Sequence, residues 1–173
     1  MAVTYRWEPL GTQHDRASFA SGNDELDRYF REQAAQDQKR GVARPFVVVE
    51  IATGTVAGYY TLSATSVDLR ALPAQITKRM PRYPTVPTTL LGRLARDLRY
   101  RGRGIGQLLL TNALRRSYDT SQQVASVGVV VDAIDDGARA FYEDYGFNRF
   151  PDQEHRLILP MRTIKQLLGI RDE

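Results

Sequence analysis

The stretch RLARDLRYRGRGIGQLLLTNAL, residues 93–114, decides how the middle of this chain folds. It begins inside residues 88–95, a segment that we interpret as a strand, and it ends on a helical stripe of apolar residues that starts at Ile105. Glycine adopts positive φ and lets the backbone approach a ligand closely. The sequence therefore predicts a strand, a tight turn and a helix, and the turn contains three glycines at alternate positions: Gly102, Gly104 and Gly106.

This turn predicts a site for a phosphate-bearing ligand. The first amides of a helix have no partner inside the helix, and they carry the positive end of its dipole. Arg101 and Arg103 add positive charge. A Walker P-loop needs Gly-Lys-Ser/Thr at this point, and a dinucleotide-binding turn needs a third glycine at position 107, where this chain has Gln107. A tight turn with a purely structural role is the alternative.

The composition limits the chemistry that the chain can perform. The 173 residues carry a net charge of +4, contain no cysteine, and include only His14 and His155 as histidines. Disulfides, thiolate zinc sites and a cysteine nucleophile are excluded, and we expect no metal site. Neither a bilayer-spanning apolar run nor a secretory signal is visible, so we expect one cytoplasmic domain over residues 1–173 without membrane association.

Hydrophobic periodicity outlines the remaining elements. We predict a helix from Ser21 to about Lys39, with Asn23 or Asp24 as its cap. Strands first occur in a hairpin around Thr53-Gly54 and later alternate with helices, which predicts an α/β (α+β) fold with a sheet of mixed direction. The other expected elements are strands at 46–51, 56–62, 124–131 and 155–161, helices at 138–145 and 163–168, and a loop with a short helix at 69–87.

Basic residues cluster along the chain. One cluster comprises Lys78, Arg79 and Arg82, and a second runs from Arg93 to Arg103. Like charges at this spacing repel one another unless an anion lies among them. For the first cluster, a solvated basic face is as good an explanation as anion binding. For the second cluster, the fusion to the glycine turn favours anion binding.

Three blocks of the sequence resemble the GNAT acetyltransferases. Arg101-x-x-Gly104-x-Gly106 resembles the family's pyrophosphate motif, Q/R-x-x-G-x-G/A, and residues 91–97 resemble the strand before it. Residues 138–147, ARAFYEDYGF, resemble the block A-x-x-F-Y-x-x-x-G-F. The resemblance implies the GNAT fold: a mixed central β-sheet with helices on both faces, and splayed central strands that hold acetyl-CoA.

A narrower resemblance is to the GNAT toxins of type II toxin–antitoxin modules. It is carried by Gly58 to Ser63, Leu72-Pro73, Leu91 to Ala95 and Arg156 to Met161. It implies a toxin that acetylates the α-amino group of aminoacyl-tRNA and so blocks translation. It also implies a homodimer and a ribbon-helix-helix antitoxin as partner.

The family's functional residues transfer to a small set of positions. The resemblance implies that Tyr142 is catalytic. Many family members have an aliphatic residue where this chain has Arg96, so the contact with the donor is altered or the arginine points outward. The cofactor-binding positions implied by the motifs are Leu94, Ala95 and Arg96 for pantetheine, and Arg101, Gly102, Arg103, Gly104, Ile105 and Gly106 for the diphosphate.

The chemistry of acetyl transfer agrees with an aminoacyl substrate. A free α-amino group titrates near pH ~8, and a neighbouring ester lowers that value, whereas a lysine amine at ~10.4 needs a base far more. No base stands out, because Asp97 is expected to cap the turn and Glu143 and Asp144 merely flank Tyr142. The Tyr142 phenol, at ~10 in free form, can protonate the leaving thiolate; the alternative is a core aromatic packed under the sheet.

Two other functions remain open. The first is a GNAT enzyme that acetylates a small amine or a protein N-terminus, and the second is a non-catalytic acyl-CoA-binding regulatory module. The 69–87 insert and the basic residues favour a tRNA substrate over a small amine. As candidate nucleic-acid contacts we select Lys78, Arg79, Arg82 and Arg93.

Overall fold

Seven strands and six α-helices make up residues 4–171, the part of the chain that the computed structural model describes. The strands are β1 (Tyr5–Pro9), β2 (Arg44–Glu50), β3 (Val56–Asp68), β4 (Thr85–Arg96), β5 (Gly128–Asp132), β6 (Asn148–Phe150) and β7 (Gln153–Pro160). The helices are α1 (Asp24–Arg28), α2 (Ala34–Arg40), α3 (Ala74–Thr77), α4 (Ile105–Ser121), α5 (Asp136–Asp144) and α6 (Met161–Leu167). A π-helical turn (Tyr29–Gln33) joins α1 to α2, and 3₁₀ turns cover Leu69–Ala71 and Leu98–Tyr100.

The strands form one mixed sheet in the order β1-β2-β3-β4-β5-β7-β6. The pairs β1/β2, β2/β3, β5/β7 and β6/β7 are antiparallel. β4 and β5 are parallel and pair only from Thr89 to Leu91, although β4 continues to Arg96. This architecture confirms the predicted α/β class.

The described residues divide into two compact units. One contains the residues up to Ser63 together with Gly92–Ala113, and the other contains Ala64–Leu91 together with the residues from Leu114 onward. The single domain over 1–173 stays a prediction, and its terminal residues 1–3 and 172–173 lie outside the described residues. No helix within 4–171 is long and apolar enough to cross a membrane.

In the first unit, helices cover both faces of the sheet. On one face Phe30 stacks on the buried Tyr59 with ring centroids 4.4 Å apart, and the Tyr59 hydroxyl donates to the Leu26 carbonyl at 2.7 Å. α1 begins as predicted, because the Asn23 side chain accepts from the Leu26 amide at 3.0 Å. On the other face, a Cβ added to Gly58 would lie 2.8 Å from Leu109 Cδ1, so α4 packs directly on the strand backbone.

The second unit buries its own apolar cluster. Ile76 of α3 packs with Val130 of β5 and Ile158 of β7, and all three side chains are at most 7% exposed. α5 begins where Asp135 accepts from the Ala138 amide at 2.8 Å, and it ends before Gly146, which has a φ of 96°. Both features agree with the predicted helix over 138–145.

Some sequence-based boundaries are wrong. The strand expected from Val124 begins only at Gly128, because α4 runs on to Ser121 and leaves Val124 71% exposed. β1 and β6 were not predicted. β1 shows a mixed pattern of half-buried and exposed residues rather than an apolar run, and β6 has only three residues.

Candidate functional site

The glycine turn leaves the end of β4 through a capped 3₁₀ turn. Asp97 accepts from the Arg99 amide at 2.8 Å, which confirms its predicted capping role. Gly102 and Gly104 have φ values of 77° and 72°, and a Cβ on either would meet nothing within 4 Å. The backbone conformation, and not a lack of space, is therefore what favours glycine at these two positions.

The turn presents a group of unpaired backbone donors. The Leu108 amide donates to the Gly104 carbonyl at 3.1 Å, and the Arg103 amide donates to the Tyr100 carbonyl at 3.3 Å. Five other amides have no hydrogen-bond acceptor within residues 4–171: those of Gly102, Gly104, Ile105, Gly106 and Gln107. They lie at the positive end of the 17-residue helix α4, whose first residue, Ile105, is fully buried. This arrangement fits a diphosphate.

The two arginines of the turn differ in their surroundings. Arg101 is exposed and forms no ion pair within the described residues. The Arg103 guanidinium lies 5.1 Å from the centre of the Tyr100 ring and 3.6 Å from Glu50 Oε2. The Tyr100 hydroxyl donates to Glu50 Oε1 at 3.1 Å. Sequence reasoning missed Glu50, because nothing near the end of β2 points to a turn that lies about fifty residues further along the chain.

The end of β4 carries the three positions selected for pantetheine. Ala95 is 4% exposed and belongs to the core cluster beneath α1 and α2. Strand alternation therefore directs Leu94 and Arg96 to the opposite face, where both side chains are half-buried. The Arg96 Nε is buried without a hydrogen-bond partner in the described part of the chain, so this arginine does not simply point outward.

Tyr142 lies on α5 in the second unit. It is 7% exposed, and its ring centroid is 5.3 Å from those of Phe141 and Phe147. Burial raises the pKa of the phenol above its ordinary value, and no hydrogen bond from any described residue contributes to this shift. Tyr142 is therefore protonated at neutral pH, which suits a proton donor and not a base.

The three carboxylates considered as bases lie in different surroundings. Asp97 is 1% exposed; burial acts to raise its pKa, but hydrogen bonds from Arg99 and from the Ala20 amide lower it below the usual value. Glu143 lies 3.4 Å from Arg139 and is held in an ion pair, and Asp144 is exposed. Residues 4–171 contain no cluster of three or more His, Asp or Glu side chains that could hold a metal ion.

The candidate nucleic-acid contacts fall into two settings. Lys78, Arg79 and Arg82 follow α3 in the second unit; all are exposed, and none forms an ion pair within the described residues. Arg93 of β4 belongs to the first unit and is half-buried, with its guanidinium carbon 3.6 Å from the centre of the Tyr29 ring. No sequence pattern indicated that Arg93 stacks on an aromatic side chain.

Comparison with known proteins agrees with these features. Residues 7–147 match the model of the "Acetyltransferase (GNAT) family". The chain is 32% identical over 170 residues to the "Probable toxin TacT" of Sinorhizobium fredii (strain NBRC 101917 / NGR234), with 94% of each chain covered. It is 36% identical over 155 residues to the "tRNA-acetylating toxin" of Mycobacterium tuberculosis (strain ATCC 25618 / H37Rv), with 90% of this chain and 91% of that protein covered.

A solved structure shows the same likeness in three dimensions. "AtaT complexed with acetyl-methionyl-tRNAfMet" superimposes with a TM-score of 0.87 and 26% identity, covering 95% of this chain and 99% of the other. The family model spans most of the chain, and it covers both the glycine turn and Tyr142. This chain belongs to the GNAT family of acetyltransferases.

Proposed function

We propose that this chain transfers the acetyl group of acetyl-CoA to the α-amino group of an aminoacyl-tRNA and acts as a toxin that blocks translation. Two similar proteins support the substrate, since one is a tRNA-acetylating toxin and the AtaT structure holds acetyl-methionyl-tRNA. The observation that carries the proposal is the set of five unpaired amides at the start of α4. They offer the diphosphate of a coenzyme A donor a site that needs no metal ion.

Different parts of the chain have different roles in the proposed acetyl transfer. The five unpaired amides of the turn and the start of α4 hold the diphosphate, with Arg101 and Arg103 as nearby cations. Backbone groups from Leu94 to Arg96 pair with pantetheine and polarise the thioester carbonyl. The amine nitrogen forms the new C–N bond as the C–S bond breaks, and Tyr142 donates its phenolic proton to the departing thiolate. The proton released by the amine restores the phenol.

The assay uses the purified chain with acetyl-CoA and aminoacyl-tRNA, followed by mass spectrometry of the aminoacyl end. Tyr142→Phe is expected to retain acetyl-CoA affinity by calorimetry and to lose most of its turnover. Tyr145→Phe is the matched control. The Tyr145 ring also packs on Phe141, with ring centroids 5.3 Å apart, and Tyr145 has no assigned role. Wild-type turnover in the Tyr142→Phe variant would show that Tyr142 is not the proton donor. If calorimetry detects no heat with either coenzyme A or acetyl-CoA, the proposed acetyltransferase activity is wrong.

The same assay separates the other two functions. An enzyme for small amines or protein N-termini would release thiol with those acceptors and leave aminoacyl-tRNA unmodified. A non-catalytic acyl-CoA-binding module would bind the donor and release no thiol with any acceptor. Acetylated aminoacyl-tRNA together with growth arrest on controlled expression supports the toxin.

The exposed basic segment provides a second line of support. Lys78, Arg79 and Arg82 have no acidic partner within the described residues, and we assign them to phosphates of the tRNA. Neutralising all three to Gln should weaken tRNA binding and reduce the dependence of log K on log salt by up to about one unit for each phosphate that is no longer neutralised. An unchanged salt slope in filter binding would identify the segment as a solvated basic face.

The proposed partners follow from the toxin function. We assign to the chain a homodimeric state, a ribbon-helix-helix antitoxin and a cytoplasmic site of action, where aminoacyl-tRNA is made. Light scattering on the purified chain tests the dimer. A neighbouring gene that encodes a short ribbon-helix-helix protein, and co-purification of its product, test the antitoxin.

A further inference from the structure

The guanidinium of Arg93 lies over an aromatic ring within the first unit. It precedes Leu94 on β4, and strand alternation places its side chain on the same face as Ala95, beneath α1 and α2. The guanidinium carbon is 3.6 Å from the centre of the Tyr29 ring. The electron-rich face of the ring attracts the guanidinium, whose five N–H donors lie around the edge of its own plane.

The ring beneath Arg93 is fixed in position. The Tyr29 hydroxyl donates to Asp37 Oδ2 at 2.8 Å, and its ring stacks on Tyr59 with an interplanar angle of 18°. Burial, reinforced by the hydrogen bond to Asp37, raises the pKa of Tyr29 above its ordinary value, so the ring stays neutral. Tyr29 also begins the π-helical turn, a kind of helix irregularity that is frequent at functional sites.

Within the part of the chain that the structure describes, Arg93 has no acidic partner of its own. No carboxylate within residues 4–171 lies within 4 Å of it, and no described group accepts a hydrogen bond from it. Two acids of the helices packed against it are engaged elsewhere: Asp37 accepts from Tyr29 and Gln33, and Asp27 accepts from Ser21. By contrast, the half-buried Arg156 forms two hydrogen bonds to Asp132, at 2.8 and 3.1 Å.

A half-buried cation without a partner points to an anion supplied from outside the chain. Partial burial weakens the hydration of the guanidinium, and a bound anion offsets that cost. The planar fork matches the geometry of a phosphate and can bind two of its oxygens at once. Lysine cannot reproduce either the stacking or the bidentate contact.

We propose that Arg93, stacked on Tyr29, binds a backbone phosphate of the tRNA acceptor strand close to the aminoacylated end. The assignment rests on the proposed function and adds a substrate subsite to it. Arg93 directly precedes the strand positions assigned to the acetyl donor, Leu94 to Arg96, so the phosphate it holds belongs to the reacting end of the tRNA. Tyr29 and Asp37 are positioning residues, since Tyr29 contacts the guanidinium and Asp37 holds the Tyr29 hydroxyl.

The experiment compares two acceptors, aminoacyl-tRNA and a short aminoacyl ester that lacks RNA. Arg93→Gln should raise the KM for aminoacyl-tRNA, and the decrease in kcat/KM for aminoacyl-tRNA should exceed the decrease for the ester by at least about tenfold, the value of one good charged contact. Arg93→Lys keeps the charge and should recover only part of that decrease. Arg70→Gln is the control, because Arg70 is exposed and already paired with Asp68 at 3.0 Å.

Filter binding of uncharged tRNA gives a second readout that does not depend on acetylation. Arg93→Gln should lower the slope of log K against log salt by about one, and Arg70→Gln should not change it. Tyr29→Leu should weaken tRNA binding more than Tyr29→Phe, because only the leucine removes the stacking surface. Circular dichroism melting checks that each variant folds. If Arg93→Gln does not fold, the same comparisons are made with Arg93→Lys.

The outcomes separate this inference from the proposed function. If the wild type binds tRNA with an Arg93-dependent salt slope but acetylates only other amines, the proposed function fails and the phosphate site stands. If the wild type acetylates aminoacyl-tRNA and Arg93→Gln behaves as Arg70→Gln does, the phosphate site fails. Equal decreases for aminoacyl-tRNA and the short ester would also overturn it, since they indicate a structural role alone.

Discussion

The carboxylate of Glu50 joins the end of β2 to the glycine turn through Arg103. Its Oε2 lies 3.6 Å from Arg103 Nη1, while its Oε1 accepts from the Tyr100 hydroxyl at 3.1 Å. An acidic group therefore lies beside a turn whose amides are suited to an anion. Glu50 supports the turn through Tyr100, and it would compete with a phosphate bound at the proposed site for the charge of Arg103.

Substitutions at Glu50 should separate these two effects. Gln retains an acceptor for Tyr100 but removes the negative charge, so Glu50→Gln should tighten acetyl-CoA binding a few-fold at low salt, in keeping with the modest energy of an ion pair whose arginine is exposed. The gain should shrink at high salt. Calorimetry with acetyl-CoA at two salt concentrations makes the measurement. Weaker binding by Glu50→Gln would show that the carboxylate acts only as a support.

Gly104→Ala tests the backbone conformation of the turn. Gly104 has a φ of 72°, where a residue with a Cβ costs about 1–2 kcal/mol, and the substitution would move the amides that we propose as the diphosphate site. Gly41 is a matched control, because it also has a φ of 72° and open space around its Cβ position. Both variants should melt at a lower temperature, and only Gly104→Ala should lose acetyl-CoA affinity. Equal affinities in the two variants would contradict the assignment of the turn.

Gly58→Ala tests the contact between β3 and α4. The added Cβ would lie 2.8 Å from Leu109 Cδ1 and 2.9 Å from the Ala95 carbonyl oxygen, and the carbonyl is main chain that cannot rotate away. Overpacking of this kind costs about 1–3 kcal/mol. Gly137→Ala in the first turn of α5 meets only ordinary contacts, at 3.4 Å, and should be neutral or stabilising by up to about 1 kcal/mol. Urea unfolding of both variants compares them, and equal changes would be inconsistent with tight packing at Gly58.

Asp97 should make stability dependent on pH in the acid range. Its folded-state pKa is lowered, so its contribution is present above the unfolded value of ~3.9 and is lost as the pH falls through the folded value. Its carboxylate accepts from the Ala20 amide and from Arg99, and charged hydrogen bonds contribute about 1.5–3 kcal/mol each. Asp97→Asn should therefore be less stable at pH 7 and lose less stability between about pH 5 and pH 2. If the free energies of unfolding of the two proteins, measured by denaturation, change equally with pH across that range, Asp97 is not the source of the pH dependence.

Much of the fold was predictable because its signals are local. The Asn23 cap, the hairpin turn at Gly54, the start of α4 at Ile105 and the end of α5 before Gly146 each follow from residues within a few positions of one another. β1 was missed because its burial comes from pairing with β2, whose residues lie some forty positions further along the chain. The strand expected from Val124 was misplaced because apolar residues in succession do not show where a helix before them stops.

The sequence by itself determined the local elements of the candidate site: the glycine turn opening a helix, the strand before it and the Phe-Tyr block of α5. These features depend on φ angles and on short spacings, which the chain encodes locally. Only the tertiary structure decided which charges have partners. It placed Glu50 beside Arg103 and occupied Asp37 with Tyr29, so that Arg93 is stacked but has no acidic partner among the described residues. Such pairings depend on which elements pack together, and packing is a property of the whole fold.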